Sequence, residues 1–341
     1  MSVERSSPVP VLVIGGAGYI GAHIASVMAA RGYLPVVYDN LSHGKREFVQ
    51  WGPLVEGSTA DAGSLRSAVK DHGIRAAICL AAFIEVGESV LDPLKYYENN
   101  VANIIAAARA LQGCGLRALV FSSTAAVYGE PRQIPIPEDH PLLPVNPYGA
   151  SKLMAERIFA DAYAAGGFPC VPLRYFNACG ADPQGRIGEA HDPETHLIPR
   201  ACLAALGEVP PLQVFGTDFD TPDGTALRDY IHVCDLAEAH VLALDYLLRG
   251  GVPRPFNLGL GRGISVMEII RAVERVAHRT VPFDLTARRA GDPARLIAQA
   301  ADAARVLGWK PRWTDLDDIV ATAWRWHESR SAPAFFHGFQ R

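Results

Sequence analysis

A glycine-rich turn near the start of the chain constrains its fold more than any other feature. The turn reads Gly-Gly-Ala-Gly-Tyr-Ile-Gly over residues 15–21 and follows the apolar segment Val9–Ile14. Apolar residues then recur at helical spacing, at positions 20, 24, 27 and 28. Glycines between a strand and a helix let the backbone approach a dinucleotide pyrophosphate at the helix N terminus, although such a turn can also serve packing alone.

An acidic residue supports the dinucleotide interpretation. Asp39 ends the second apolar segment, 18 residues after Gly21, close to the spacing at which an acid binds the adenosine ribose hydroxyls. Its charge would repel the 2′-phosphate of NADP, so the pattern favours NAD even though Lys45 and Arg46 follow. Asp61 is expected to face the adenine, with a solvated loop acid as a comparable alternative.

Apolar segments alternate with helical segments through the first half of the chain. This alternation predicts a Rossmann-type, doubly wound parallel sheet of the α/β class. The predicted strands are Val9–Ile14, Leu34–Tyr38, Leu54–Glu56, Ala76–Leu80, Leu116–Ser122 and Cys170–Arg174, and the helices include Pro93–Leu111 and Tyr148–Ala165.

The composition changes after Tyr175 to segments rich in Gly, Pro, Asp and His, which indicates a smaller C-terminal α/β substrate-binding lobe. We therefore predict an NAD-binding domain at 9–176, to which segments near 230–260 return, and a substrate lobe mainly at 177–330. Helices are expected near His196–Leu206, Asp235–Leu248 and Ser265–His278, and loose tails at 1–8 and 331–341.

Charge and cysteine usage exclude several classes of protein. A net charge of −4 gives no basic field for nucleic acid. The uncharged stretch Ser6–Ala30 is interrupted by glycines, Pro10 and His23, so we expect no membrane span. The six cysteines form no CxxC pair, which suits reduced thiols and a cytoplasmic location. We also expect no metal, because no residues were found with metal-ligand spacing.

Tyr148 and Lys152 lie four residues apart at the start of a predicted helix, on one face. A nearby cation favours a phenolate, so Lys152 is expected to lower the pKa of Tyr148 for general-base catalysis. Thr124 lies at the carboxyl end of the fifth strand, the edge where open α/β sheets bind ligands. A YxxxK pair also arises by chance. The assignment of Tyr148 and Lys152 as catalytic residues therefore depends on their position after the fifth strand and Thr124.

Several further segments accompany the pair, and together they resemble the UDP-galactose (UDP-glucose) 4-epimerase family of extended short-chain dehydrogenases. The resemblance spans about residues 9–328. It is carried by GGAGYIG at 15–21, Asp39-Asn40, VGES at 86–89, YENNV at 97–101, FSSTAAVYG at 121–129, PYGASK at 147–152, LRYFN at 173–177, RDYIHV at 228–233 and RRAGD at 288–292.

The resemblance implies a mechanism and a set of site residues. Tyr148 would take the proton of the sugar 4-hydroxyl while hydride passes from C4 to NAD, and the 4-ketose would turn over before hydride returns. Thr124 would bind the 4-oxygen and Lys152 the nicotinamide ribose. The implied NAD contacts are Gly15, Gly18, Tyr19, Ile20, Gly21, Asp39, Asn40, Asp61, Ala62, Leu80, Ala81, Asn99, Lys152 and Phe176, with helix capping as an alternative for Asn99.

The resemblance also implies a UDP-sugar site, in which Arg228 and Arg289 bracket the diphosphate. A solvated surface charge is the commoner role for any one arginine, and His196 and His232 could be structural. The implied substrate contacts are Thr124, Tyr148, Asn177, His196, Leu197, Val214, Phe215, Arg228, Arg289 and Asp292.

Two departures from the family pattern bear on the cofactor and the sugar. Ile84 stands where relatives often have a lysine that contacts the cofactor. Leu296 stands where bulky aromatic residues exclude N-acetyl sugars, so acceptance of UDP-N-acetylglucosamine stays open.

The same residues also bear on three other functions that this fold can have. Ala125 and Ala126 follow Thr124 where 4,6-dehydratases usually carry an Asp-Glu pair, which argues against water elimination. A UDP-pentose 4-epimerase is not excluded. A non-catalytic NAD-binding regulator is disfavoured because Tyr148 and Lys152 are both present. Family members are commonly homodimers.

Overall fold

The computed structural model describes residues 8–289 and 292–331. The fourteen strands of the described residues form one large sheet and three small ones. The strands are β1 (Val9–Ile14), β2 (Tyr33–Asp39), β3 (Leu54–Glu56), β4 (Ala76–Cys79), β5 (Ala118–Ser122), β6 (Cys170–Tyr175), β7 (Asn177–Cys179), β8 (Leu212–Phe215), β9 (Leu227–Arg228), β10 (Tyr230–His232), β11 (Phe256–Leu258), β12 (Ile264–Ser265), β13 (Phe283–Thr286) and β14 (Arg295–Leu296).

The large sheet has seven parallel strands in the order β3-β2-β1-β4-β5-β6-β11. The predicted Rossmann-type fold class is thereby confirmed. The helices are α1 (Tyr19–Ala30), α2 (Ala62–Asp71), α3 (Val86–Leu91), α4 (Pro93–Tyr97), α5 (Asn103–Gln112), α6 (Pro147–Ala164), α7 (Leu197–Leu206), α8 (Val233–Leu248), α9 (Val266–Ala277) and α10 (Leu316–Ser331).

Helices cover both faces of the large sheet, which explains why its strands are apolar throughout. Strand β1 shows the division: Val11 and Val13 pack with α1 and α8 on one face. Leu12 and Ile14, which point the opposite way, pack with α2, α5 and α6 on the other.

A second core lies among the C-terminal elements, where α7, α9 and α10 pack together with β8. Three short sheets surround it: β7 pairs with β10, β8 with β13, and β9 with both β12 and β14. The chain between these elements returns to the large sheet, because β11 pairs with β6. The domain bounds given above stay a prediction.

Local structure differs from the sequence prediction at several points. The predicted helix Pro93–Leu111 is interrupted by a π-helical turn at Glu98–Ala102. The predicted first residues His196 and Ser265 are instead the N-caps of α7 and α9. The short strands after Tyr175 and helix α10 were not predicted. Most of each expected tail, and residues 290–291 of the RRAGD motif, lie outside the described residues.

Two further features of the described residues concern membrane-spanning helices and cysteines. Within residues 8–289 and 292–331, no helix is both long and apolar enough to cross a bilayer. All six cysteines lie in the described part of the chain and are free thiols, four of them buried.

Candidate active site

The glycine turn brings the start of α1 close to the end of β1. Gly15 has a φ of +80°, and a Cβ on Gly21 would lie 2.4 Å from the Gly15 carbonyl oxygen, so side chains are excluded at both positions. A Cβ on Gly18 would meet only that oxygen, at 3.5 Å. Helix α1 has no side-chain cap and no acidic residue in its first turn, which leaves its first amides free for a phosphate.

Asp39 lies beside this turn at the end of β2 and is buried. Its Oδ2 accepts a hydrogen bond from the Ala17 amide at 3.0 Å and its Oδ1 accepts from the Leu41 amide at 2.8 Å. These bonds fix the carboxylate next to the glycines, and each oxygen can still accept a ribose hydroxyl. Asn40, which follows, is exposed. The glycine turn and Asp39 therefore fit a dinucleotide such as NAD.

Other expected cofactor contacts surround the same edge. Leu80 and Ala81 follow β4, and the Ala81 amide would lie 2.8 Å from a Cβ on Gly15. Asp61 is exposed and caps α2, its Oδ1 accepting from the Gly63 and Ser64 amides at 2.9 Å, so both the adenine contact and the solvated acid stay predictions. Ala62 is the first residue of α2.

Three more of these residues lie on helices or in an apolar cluster. The Tyr19 hydroxyl donates to the Gly180 carbonyl at 2.6 Å, and Ile20 packs against the core beside α8. Asn99 does not cap a helix, because it lies inside the π-helical turn and donates to Asn100 Oδ1 at 2.9 Å. The capping alternative for Asn99 is therefore wrong.

Thr124 and Tyr148 meet at the carboxyl end of β5. Thr124 caps the 3₁₀ turn Ala125–Tyr128, its Oγ1 accepting from the Ala126 amide at 3.1 Å. Tyr148 lies in the first turn of α6 and is buried. Burial raises the pKa of Tyr148 to about 12, a hydrogen bond with Thr124 lowers it, and the charge of Glu85 raises it further. Glu85 was not identified from the sequence.

Lys152 is buried one turn further along α6. Its Nζ donates to the Ser122 carbonyl at 2.8 Å and lies 5.0 Å from the centre of the Phe121 ring. Burial lowers the pKa of Lys152 to about 8, against the charges of Cys79 and Glu156. Burial raises the Tyr148 pKa overall, and Lys152 does not contribute the expected lowering.

A buried polar network joins the ends of β5 and β6 to helices α6 and α8. The sequence did not predict it. Arg174 on β6 pairs with Glu156 on α6 at 2.6 Å, with both side chains under a tenth exposed. Ser123 also donates to Glu156, and Ser122 Oγ lies 2.8 Å from Nε2 of His240 on α8. The LRYFN motif contains Arg174, but its partner is distant in sequence, so no local pattern identifies the pair.

The two arginines expected at the diphosphate lie on strand β9 and in the loop that follows β13. Arg228 on β9 forms an ion pair with Asp292 and donates to the Leu227 carbonyl at 2.9 Å. Arg289 lies 3.8 Å from the centre of the Phe215 ring. Both guanidinium groups are thus held in place, one by a carboxylate and the other by an aromatic face.

The remaining expected substrate contacts lie on β7, on β8 and at the start of α7. Asn177 starts β7 and its Nδ2 donates to the Asp229 carbonyl at 3.3 Å. Val214 is fully buried in the core of the C-terminal elements. His196 caps α7, of which Leu197 is the first residue.

Leu296 joins the sugar-site strand to the catalytic turn. It pairs with Arg228 in the β14–β9 ladder. It also packs, together with Phe176, against the cluster that contains Ala125 and Tyr128. This places Leu296 next to the turn that Thr124 caps, as expected for a residue that limits the sugar pocket.

His232 has a structural role. Its Nδ1 accepts from the Cys234 amide at 3.1 Å, and its ring stacks on Trp313 with centroids 4.4 Å apart. Burial lowers the pKa of His232 to about 3.

A cluster of potential metal ligands lies near the glycine turn, although the sequence pattern had predicted no metal site. Glu189, His191, Glu194 and His196 bring one ligand atom each to within 4.8 Å of one another. Burial lowers the pKa of His191, but the two carboxylates outweigh it and raise the value to about 9. The sequence signal is the pattern E-x-H-x-x-E-x-H at 189–196.

Comparison with known proteins places the chain in a family. Residues 11–259 match the NAD dependent epimerase/dehydratase family. The chain belongs to this family. The resemblance stated from the sequence, the enzyme class and NAD as the cofactor are thereby confirmed.

Individual relatives extend the similarity to nearly the whole chain. A UDP-glucose 4-epimerase of Rhizobium leguminosarum bv. trifolii is 50% identical, over 93% of this chain and 97% of the relative. The NAD complex of UDP-glucose 4-epimerase from Brucella ovis is 50% identical with a TM-score of 0.91, covering 93% and 98% of the two chains.

A third match bears on the range of sugars. UDP-glucose-4-epimerase from Stenotrophomonas maltophila, with bound NAD and formylated UDP-arabinopyranose, is 39% identical with a TM-score of 0.91. It covers 95% of this chain and 99% of its own.

Proposed function

We propose that this family member catalyses NAD-dependent epimerisation at C4 of a UDP-hexose, interconverting UDP-galactose and UDP-glucose. One observation carries the proposal: Thr124, just after β5, is close enough to Tyr148 to lower the pKa of its phenol, and Lys152 is buried one helical turn away. Ala125 and Ala126 follow Thr124, so the strand end offers redox chemistry at C4 without acids for elimination.

Tyr148 is the proposed base and acid. The first amides of α1 and Asp39 would hold NAD, whose nicotinamide would supply the hydride acceptor for C4 of the sugar and the hydride donor for the opposite face of the ketone. Tyr148 takes the proton of the 4-hydroxyl as the ketone forms and gives it back as the ketone is reduced. Thr124 would hold the 4-oxygen, and its side chain already lowers the pKa of the phenol against the effect of burial.

Burial is the main reason that the Tyr148 pKa lies at about 12, which is too high for a base at neutral pH. A positive nicotinamide ring beside the phenol would favour the phenolate, in the same sense as the Lys152 ammonium. Lys152, fixed by the Ser122 carbonyl, holds the nicotinamide ribose. The phenolate is therefore expected to form in the cofactor complex.

The remaining residues bind the nucleotides in this proposal. The first amides of α1 and Asp39 hold the pyrophosphate and adenosine ribose of NAD, with Asp61 near the adenine. Arg228 and Arg289 bind the UDP diphosphate, while Phe215 lies beside the uracil. The other proposed contacts are Tyr19, Ile20, Asn40, Ala62, Leu80, Ala81, Asn99 and Phe176 for NAD, and Asn177, His196, Leu197, Val214 and Asp292 for the sugar nucleotide.

Two variations in substrate are the alternatives. Leu296 borders the catalytic turn and is smaller than an aromatic residue, which favours tolerance of UDP-N-acetylhexosamines. The Stenotrophomonas relative carries a formylated UDP-arabinopyranose, which favours tolerance of UDP-pentoses. A non-catalytic NAD-binding role is disfavoured by the intact Tyr148, Lys152 and Thr124. We propose a cytoplasmic homodimer as the working form.

The decisive experiment is product analysis without added cofactor. Purified protein is incubated separately with UDP-galactose, UDP-N-acetylgalactosamine and UDP-arabinose, and the products are resolved by chromatography. Conversion of UDP-galactose to UDP-glucose is expected, and the other two substrates define the breadth of the pocket. Conversion of none of them, with NAD supplied, would overturn the proposal in favour of a non-catalytic NAD-binding protein.

A further inference from the structure

Four side chains between β7 and α7 converge on one point. Glu189 and Glu194 are buried, with side chains 5% and 7% exposed, while His191 and His196 are 22% and 40% exposed. We call these four residues the His/Glu cluster. The four lie within eight residues of sequence, so one loop supplies the whole set.

The contacts between histidines and glutamates within the His/Glu cluster are close to the ligand-to-ligand distances around a metal ion. Nδ1 of His191 lies 3.3 Å from Glu189 and 3.5 Å from Glu194, and Nδ1 of His196 lies 3.0 Å from each carboxylate. Zinc binds His nitrogen and Glu oxygen at about 2.0–2.2 Å, which sets tetrahedral ligand atoms about 3.3 Å apart. These four contacts are close to that spacing, and one ligand atom from each residue lies within 4.8 Å of the other three, so small side-chain movements would place all four around one ion.

Two buried atoms of the cluster point into this space without a hydrogen-bond partner. They are Nδ1 of His191 and Oε2 of Glu194, among the described residues. The His191 nitrogen lies between two carboxylates and is aligned with neither, whereas an imidazolium N–H would be directed at one oxygen. Buried polar atoms normally have partners, so an ion at their common centre accounts for both.

We propose that the His/Glu cluster binds one divalent transition-metal ion of the zinc class as a closed, four-coordinate structural site. Two neutral imidazoles and two carboxylates balance the double positive charge. Four protein ligands leave no open position for catalytic water. The N₂O₂ ligand set suits zinc and its neighbours rather than copper(I), which prefers sulfur, or calcium, which takes more oxygens.

The surroundings of the cluster indicate what the ion would hold together. The His191 ring packs edge-on against Tyr19, with centroids 6.4 Å apart, and Tyr19 follows the glycine turn. The Glu189 carbonyl accepts from Trp326 Nε1 on α10 at 2.7 Å. His196 caps α7. The ion would thus join the loop to the cofactor turn and to two helices of the C-terminal core.

The ion would also set the tautomer of His196, which is a proposed substrate contact. Coordination through Nδ1 fixes His196 as the tautomer that carries its proton on Nε2. That nitrogen then faces outward as a donor, which suits a phosphate or sugar oxygen. This part rests on the proposed function, whereas metal binding itself does not.

Metal content is the first test. The full-length protein is produced in zinc-supplemented medium and analysed for metal by elemental mass spectrometry. Wild type is expected to retain about one zinc ion per chain. His191→Gln and Glu194→Gln, which keep the size and polarity of the side chains, are expected to lose most of it. His278→Asn, at an exposed histidine outside the cluster, is the matched control and should retain the wild-type content.

Stability is the second readout and does not depend on activity. Treatment with a chelator should lower the Tm of wild type by several degrees, and added ZnCl₂ should restore it. The Tm of folded His191→Gln, checked by circular dichroism, should not respond to either addition. The proposal would be overturned if wild-type protein contains no zinc and its Tm changes with neither zinc nor chelator. The cluster would then be a network of imidazolium–carboxylate ion pairs without a metal.

A cobalt(II) titration covers the case in which both variants fail to fold. Cobalt bound to the cluster in apo wild type should give the intense visible absorption of a tetrahedral site. The weak absorption of octahedral aqueous cobalt throughout the titration would count against it. An active enzyme that binds neither zinc nor cobalt would refute this inference alone, and a metal-bound but inactive protein would refute the proposed function alone.

Discussion

The Nζ of Lys152 donates a hydrogen bond to the backbone carbonyl of Ser122 at 2.8 Å, which ties α6 to the carboxyl end of β5. This bond orients the ammonium at the edge of the sheet where Thr124 and Tyr148 lie. Since burial lowers the Lys152 pKa to about 8, the group is still mostly charged at neutral pH. Its position and charge are the two properties on which its proposed role depends.

Lys152→Met should therefore reduce kcat by about 10²–10⁴-fold, because methionine fills the space without holding the ribose or favouring the phenolate. Bound NAD, measured after denaturation, should also decrease. Lys310→Met, at an exposed lysine, serves as the control and should match wild type. Full turnover by Lys152→Met would exclude a role for the ammonium.

Tyr148→Phe should leave the fold and bound NAD intact while kcat falls by about 10²–10⁴-fold, because only the proton-carrying hydroxyl is removed. Turnover of UDP-galactose and NAD content are measured on the same preparation. Tyr163→Phe removes a hydroxyl from an exposed position on the same helix and should have no effect. Wild-type kcat in Tyr148→Phe would contradict the assigned base.

The large sheet could be predicted because the sequence patterns that indicate its strands and helices are local. Strand β1 is apolar on both faces and is followed at once by the glycines, so a short window of sequence identifies the βα unit. The same holds for Asp39, whose role follows from its spacing. Tyr148 and Lys152 were found for this reason too, since one helical turn separates them.

Features that depend on distant pairing could not be predicted. Arg174 and Glu156 meet only once β6 and α6 are packed, and the short strand β9 gains its partners β12 and β14 from far along the chain. The direction of the Tyr148 pKa shift was also missed, because burial is a property of the folded environment. Asn99 illustrates a local error: helix starts attract asparagine, but here a π-helical turn continues through it.

Arg228→Ala should raise the KM for UDP-galactose by about 10–100-fold with a smaller change in kcat, because a charge-assisted bond to phosphate contributes about 1.5–3 kcal/mol. Inhibition by UDP should weaken by a similar factor. Arg157→Ala is the control: it removes an exposed arginine that pairs only with Asp161 on α6. A KM equal to that of wild type would remove Arg228 from the diphosphate site.

His240 should make folding stability depend on pH. Burial, partly offset by a bond with the Leu236 carbonyl, lowers its pKa from 6.5 to about 4. Below pH 6.5 the unfolded chain binds a proton at this position that the folded chain does not. The free energy of unfolding is therefore fully retained above pH 6.5 and is lost as the pH falls towards about 4, by up to about 3 kcal/mol.

His240→Gln should flatten this dependence, since glutamine does not titrate. Urea denaturation between pH 4 and pH 7 measures the slope for each protein. His278→Asn is the matched control, because His278 is exposed and has a φ of +51° that asparagine tolerates. Part of the slope should survive in His240→Gln, because buried His232 is shifted in the same direction. A slope in His240→Gln as steep as in wild type would show that His240 is not the group responsible.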